Sequence, residues 1–147
     1  ALFGLLAFLL VNILLTPLLN SLFASQGSTS GIMVHFTDMS LLWVWLLSGI
    51  LGGGLVEEVQ RTFIITRFEK WKGKKVIILV LLIDAISFGI GHLYQGMGGA
   101  ISAAVSGIIF GLIYLRKRSF IEAFTTHAIY DVIGITVGHI IMQTNAT

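Results

Sequence analysis

Ionisable side chains recur inside stretches of this chain that are otherwise as apolar as lipid, and that conflict constrains the fold more than anything else. Glu57-Glu58 is followed by Arg61, Phe88 by His92 four residues on, and His127 by Asp131 four residues on. A charge near a bilayer centre costs at least roughly 2.5–3.5 kcal/mol, so several in one small protein must face each other or water. The three clusters read as one buried polar site. The setting is membranous: 56% of residues are hydrophobic and only 11% charged, against about 25% charged in soluble domains. Mean hydropathy is +0.95. There is no Cys, so disulfides, a thiol nucleophile and Cys-based zinc motifs are excluded. The net charge of +2 gives no reason to expect nucleic acid.

About 20 apolar residues cross the hydrocarbon core as a helix, and five segments approach that length. The spacing predicts an all-α, polytopic bundle of about five membrane helices in a single domain, 1–147. The first helix spans residues 1–23, with Pro17 as a kink, and acts as an accessory to the rest. Residues 24–39, rich in Ser, Gly and Thr, form a loop that contains His35. The second segment, 41–68, is long for one span, and its final part is expected to bend or run along the interface. A basic turn at 70–75 precedes helices at 76–94 and 97–115. After a second basic turn, Arg116-Lys117-Arg118, the last helix covers about 120–142. Two spans separate the basic turns, which places both on the cytoplasmic side by the positive-inside rule. The chain opens within an apolar run without a basic leader, as a piece of a longer protein would. Glycines four apart, at Gly49 and Gly53, Gly107 and Gly111, and Gly134 and Gly138, are expected to let helices approach closely.

Helical arithmetic brings the clusters together. From a turn centred at Gly73, Glu57 is 16 residues back and His92 is 19 forward, each roughly 24–28 Å along neighbouring antiparallel helices. The same count puts Arg61 level with Asp84, a candidate buried ion pair. His127 and Asp131 share one helix face, roughly 13–20 Å from the second basic turn. Glu58, rotated about 100° from Glu57, is read as a structural partner of Arg61. Phe88 reads as aromatic filler, and His35 and His139 as incidental. A glutamate, two histidines and an aspartate in a wet pocket suit peptide hydrolysis: a carboxylate takes a proton from water while imidazoles orient that water or stabilise the oxyanion. In a second version Glu57, His92 and His127 bind a divalent metal such as zinc, which lowers the pKa of its water. There is no nucleophile elbow for a serine hydrolase and no His-Glu-x-x-His helix.

At these residues the chain resembles the CAAX protease and bacteriocin-processing (CPBP) family, which includes type II CAAX prenyl endopeptidases and Abi-type immunity proteins. That family's pattern is Glu-Glu-x-x-x-Arg, Phe-x-x-x-His, an aromatic-Gly segment and His-x-x-x-Asn or Asp. It is matched by Glu57-Glu58, Phe88 to His92, Phe110-Gly111-Leu112 and His127 to Asp131, within a core of about 45–140. Two departures stand out. Arg61 follows Glu58 after two residues, with Thr62 in the usual Arg position, and Asp131 stands where many members carry Asn. The resemblance implies an intramembrane endopeptidase in which Glu57 and His92 activate water, while His127 and Asp131 stabilise the oxyanion or position substrate. Glu58, Arg61, Phe88 and Asp84 would support them. The substrate would be a membrane-associated, CAAX-type protein, and the setting a multi-pass protein of a prokaryotic plasma membrane in contact with lipid. Family labels include metalloprotease, yet few ligands are firmly spaced, which favours a metal-free mechanism. A non-catalytic immunity or scaffold protein that keeps the pocket is the alternative; a proton-coupled transporter ranks below both, since no repeat is visible.

Overall fold

A computed structural model describes residues 6, 13–15, 17–19, 21–23 and 38–145, and every regular element among them is helical. Asp38 caps the first turn of the bundle, its carboxylate accepting from the backbone N–H of Ser40 at 2.8 Å. A short 3-10 turn, Met39–Leu41, leads into α1 (Leu42–Ser48). Without a break the chain passes into a π-helix, Gly49–Glu57, and then α2 (Glu58–Lys72). The whole path, Met39–Lys72, is 34 residues long, about 50 Å. That exceeds the roughly 30 Å hydrocarbon core, so one end overhangs into the interface, where the Lys72 ammonium lies 4.0 Å from the Trp71 ring centre. The bend expected in the last part of this segment is absent, because residues 58–72 form a regular α-helix. The irregularity falls earlier, at Gly52-Gly53-Gly54. Glycine is a poor α-helix former, and these residues accept the wider π turns often found at functional sites.

Gly73, at φ 81°, ends α2. After the 3-10 turn Lys74–Val76 comes α3 (Ile77–Gly91), and after the 3-10 turn Leu93–Gln95 comes α4 (Gly96–Lys117). Arg118, left-handed at φ 53°, separates α4 from α5 (Phe120–Asn145). Met39–Lys72, Leu93–Lys117 and Phe120–Thr144 are long and apolar enough to span a membrane. The helix expected at 76–94 is shorter than its apolar run: α3 has 15 residues, about 22 Å, and gives way at His92. The helical bundle thus holds with three full-length spans and the shorter α3 among the described residues. Most of the accessory helix at 1–23, and the loop with His35, lie outside them.

The two basic turns share one end of the bundle, where the Arg118 Nη2–H donates to Glu69 Oε1 at 3.0 Å. Above them Ile65, Val80, Leu81, Tyr114 and Ala123 form the apolar core. Ile78, Leu79, Ile83, Ile86 and Ile90 of α3 are each more than half exposed, the surface expected of a lipid-facing helix.

Missing side chains set how closely helices pack. A Cβ on Gly89 would lie 2.7 Å from the Ala100 carbonyl oxygen and 2.9 Å from Ala104 Cβ, so α3 and α4 touch nearly backbone to backbone. A Cβ on Gly54 would lie 2.8 Å from Ala128 Cβ, seating the π-helix against α5. Gly49, Gly53, Gly107 and Gly111 also lie at contacts, but Gly134 and Gly138 have open space around them, contrary to expectation. Gly89→Ala should therefore cost about 1–3 kcal/mol through overpacking. Gly134→Ala should be neutral or stabilise by up to about 1 kcal/mol, through helix propensity. Thermal melting in detergent compares the two, and equal shifts would contradict this packing.

Candidate active site

Helix α2 begins with Glu58, whose side chain is fully buried. Its Oε1 accepts from two donors: the Arg61 Nη1–H one turn later on α2, and the His127 Nδ1–H of α5, at 2.8 Å. On its other side Arg61 donates through Nε to Asp84 Oδ2 of α3 at 3.0 Å. A continuous polar chain, Asp84, Arg61, Glu58 and His127, therefore crosses three helices. The depth count from Gly73 paired Arg61 with Asp84 correctly, and Glu58 does contact Arg61. Glu58 also holds His127, a link that helix spacing alone cannot show because it joins residues 69 positions apart.

Aromatic rings enclose this chain. Phe110 stacks on the His127 imidazole at 4.0 Å and 16°. The Arg61 guanidinium carbon lies 4.9 Å from the Phe88 ring centre and 5.7 Å from that of Phe110, within cation–π range. Phe88 is therefore more than filler. Its carbonyl also accepts from His92 Nδ1–H at 2.8 Å, and its ring lies 4.5 Å from the His92 ring.

Both histidines are thus anchored through Nδ1, His127 by a carboxylate and His92 by a carbonyl, which orients each ring and leaves Nε2 to work. His127 Nε2 lies 3.6 Å from Glu57 Oε2 and 3.7 Å from Asp131 Oδ2. These separations are longer than a hydrogen bond, as catalytic pairs often are before substrate binds. Glu57, His92, His127 and Asp131 all line one cavity of about 780 Å³. Trp45, Ser48, Gly49, Gly52 and Gly53 form another wall. Their spacing places them on one face of the long helix, a periodicity visible in the sequence although nothing marked it as functional. The Gly53 position is filled by the Asp131 carboxylate, with His127 Nε2 3.3 Å from where a Cβ would stand. Among the described residues no group of three His, Asp or Glu side chains is placed to hold a metal ion. His139, read as incidental, is buried away from this cavity's wall with Nε2 2.7 Å from Met39 Sδ.

A helical membrane bundle with acidic and imidazole groups around a cavity at membrane depth has the character of an intramembrane hydrolase. Residues 39–133 match the family model of Rce1-like type II CAAX prenyl endopeptidases. The match spans well over half of the chain, and the protein belongs to that family. Membership makes it a CAAX-type intramembrane protease in general class and an integral membrane protein. No curated protein and no solved structure matches the chain.

Removing Arg61 leaves Asp84 without its cation and Glu58 with His127 as its remaining partner, whereas removing the Asp84 charge leaves Arg61 still bound to Glu58. Arg61→Met should therefore cost roughly 3–5 kcal/mol, and Asp84→Asn distinctly less. The swap Arg61→Asp with Asp84→Arg should fail to restore stability, because it sets a new carboxylate beside Glu58. Melting of the purified variants checks the order, and recovery in the swap would contradict the shared role of Glu58.

Proposed function

We propose that the protein hydrolyses a peptide bond of a membrane-associated, CAAX-type substrate by activating water with Glu57 and His92. The observation that carries this reading is the shared cavity, in which both residues face His127 and Asp131. Glu57 takes a proton from water, and His92, with Nδ1–H held by the Phe88 carbonyl, offers its Nε2 lone pair to the same water. The water oxygen attacks the acyl carbon, the carbonyl oxygen takes up negative charge, and the departing amine receives the proton from Glu57. His127, in its doubly protonated form, donates Nε2–H to that oxyanion while Glu58 holds Nδ1–H. Asp131 donates as a neutral acid; an ionised carboxylate there would repel the oxyanion.

Glu57→Gln and His92→Ala should each abolish cleavage of a reporter peptide in proteoliposomes while leaving the fold intact; full cleavage in both would remove the enzymatic reading. Rescue of a cellular phenotype by Glu57→Gln would instead favour the immunity or scaffold role. Asp131→Asn should keep or raise activity, because an amide donates to the oxyanion without charge. Asp131→Ala should lower kcat by about 10²-fold, the scale of one lost oxyanion donor. Cleavage that survives exhaustive chelation fits activation of water by Glu57 and His92 alone. Loss on chelation with recovery on added zinc would assign Glu57, His92 and His127 as ligands. The multi-pass topology, with both basic turns cytoplasmic, and the prokaryotic plasma membrane belong to this same proposal.

A further inference from the structure

Every hydrolytic turnover consumes one water. Its oxygen bonds to the acyl carbon, and its two hydrogens end on the released acid and amine. A peptide segment seated in the 780 Å³ cavity displaces the water through which Glu57 would be supplied. Behind Glu57 and His92 lies a second cavity of about 310 Å³, in the seam between α2 and α3. Glu57, His92 and Tyr94 line both cavities, so the two meet at the groups proposed to activate water.

The walls of the second cavity carry polar groups at a depth where lipid has none, beside the apolar Phe88 and Gly91. Gln60 and Arg61 come from α2, and Asp84 and Ser87 from α3. Gln60 is 13 residues before Gly73 and Ser87 is 14 after it, both roughly 20 Å from the basic end. Gln60, Ser87 and Ile86 are all exposed, but Gln60 and Ser87 line the seam, while Ile86, rotated about 100° around α3, is not among its lining residues. An amide, a hydroxyl, a carboxylate and a guanidinium give ordered water the several partners it needs, and 310 Å³ holds about ten molecules at roughly 30 Å³ each.

We infer that the α2–α3 seam is a water-entry site that supplies the nucleophile from behind while substrate occupies the larger cavity. The supply role rests on Glu57 acting as the base; the hydration of the seam does not. The protein has no Cys, so Ser87→Cys introduces a single thiol. In proteoliposomes, a charged methanethiosulfonate reagent should label Ser87→Cys at least roughly tenfold faster than Ile86→Cys. Only the hydrated thiolate reacts, and its charge is strongly disfavoured in lipid. Gln60→Cys, on the facing wall, should label as fast as Ser87→Cys and serves if that variant fails to fold. Labelling of both seam thiols no faster than Ile86→Cys would mean that acyl chains fill the seam and would overturn the inference. Ser87→Leu, which plugs the seam, should lower kcat roughly tenfold with KM retained; an unchanged kcat would overturn the supply role. Absence of any cleavage by the unmodified protein would sink the proteolytic reading, yet labelling would still decide whether water fills the seam.

Discussion

One carboxylate oxygen, Oε1 of Glu58, holds the polar site together. It lies at 0% exposure and accepts from both Arg61 and His127, so it ties α2 to α5, while Arg61 carries the tie on to α3. An isolated charge at this depth would cost several kcal/mol, and a buried pair repays that only when its geometry is good. Sharing Oε1 between a guanidinium and an imidazole pairs the charge and orients His127, while Glu58 Oε2 is buried with no hydrogen-bond partner among the described residues. Phe88 and Phe110 then pack against the Arg61 guanidinium, and Phe110 against the His127 imidazole, which holds both groups in place. The site and the fold are therefore linked: the interaction that makes the buried charges tolerable also aims the imidazole.

Close approach of the helices makes that sharing possible. The π-helix brings Gly53 and Gly54 against α5, and the space a Gly53 side chain would take is occupied by the Asp131 carboxylate. Gly89 brings α3 against α4 in the same way. Larger residues at Gly53 or Gly54 would push His127 and Asp131 away from Glu57, and one at Gly89 would part α3 from α4. Dense packing transmits such displacements instead of absorbing them.

Much of this was legible in the sequence because helices are regular. Counting residues from Gly73 paired Arg61 with Asp84, and that pair forms; it also put Glu57 and His92 at one depth, and the two line the same cavities. The two spans between the basic turns placed them on one side, and the Arg118–Glu69 pair joins them. What the sequence hid depends on rotation and local helix type. The link from Glu58 to His127 needs the relative rotation of α2 and α5, and Glu58 leaves a π-helix whose turn departs from about 100° per residue. The role of Phe88 needs its carbonyl direction and ring contacts. Gly134 and Gly138 carry the same spacing as glycines that do pack, yet face open space, because spacing names a face and not its neighbour. The stop of α3 at His92 was masked by hydropathy that continues through Leu93 and Tyr94.

The shared Glu58 oxygen is most directly tested on the proton it holds. With four histidines in the chain, selective 15N labelling and single His replacements assign the ring nitrogens of His127 by solid-state NMR in lipid. Nδ1 of His127 should carry a hydrogen-bonded proton, and Glu58→Gln should shift that resonance while the His139 signals stay in place. A His127 ring with a bare Nδ1, or with signals indifferent to Glu58→Gln, would contradict the arrangement from which the site is built.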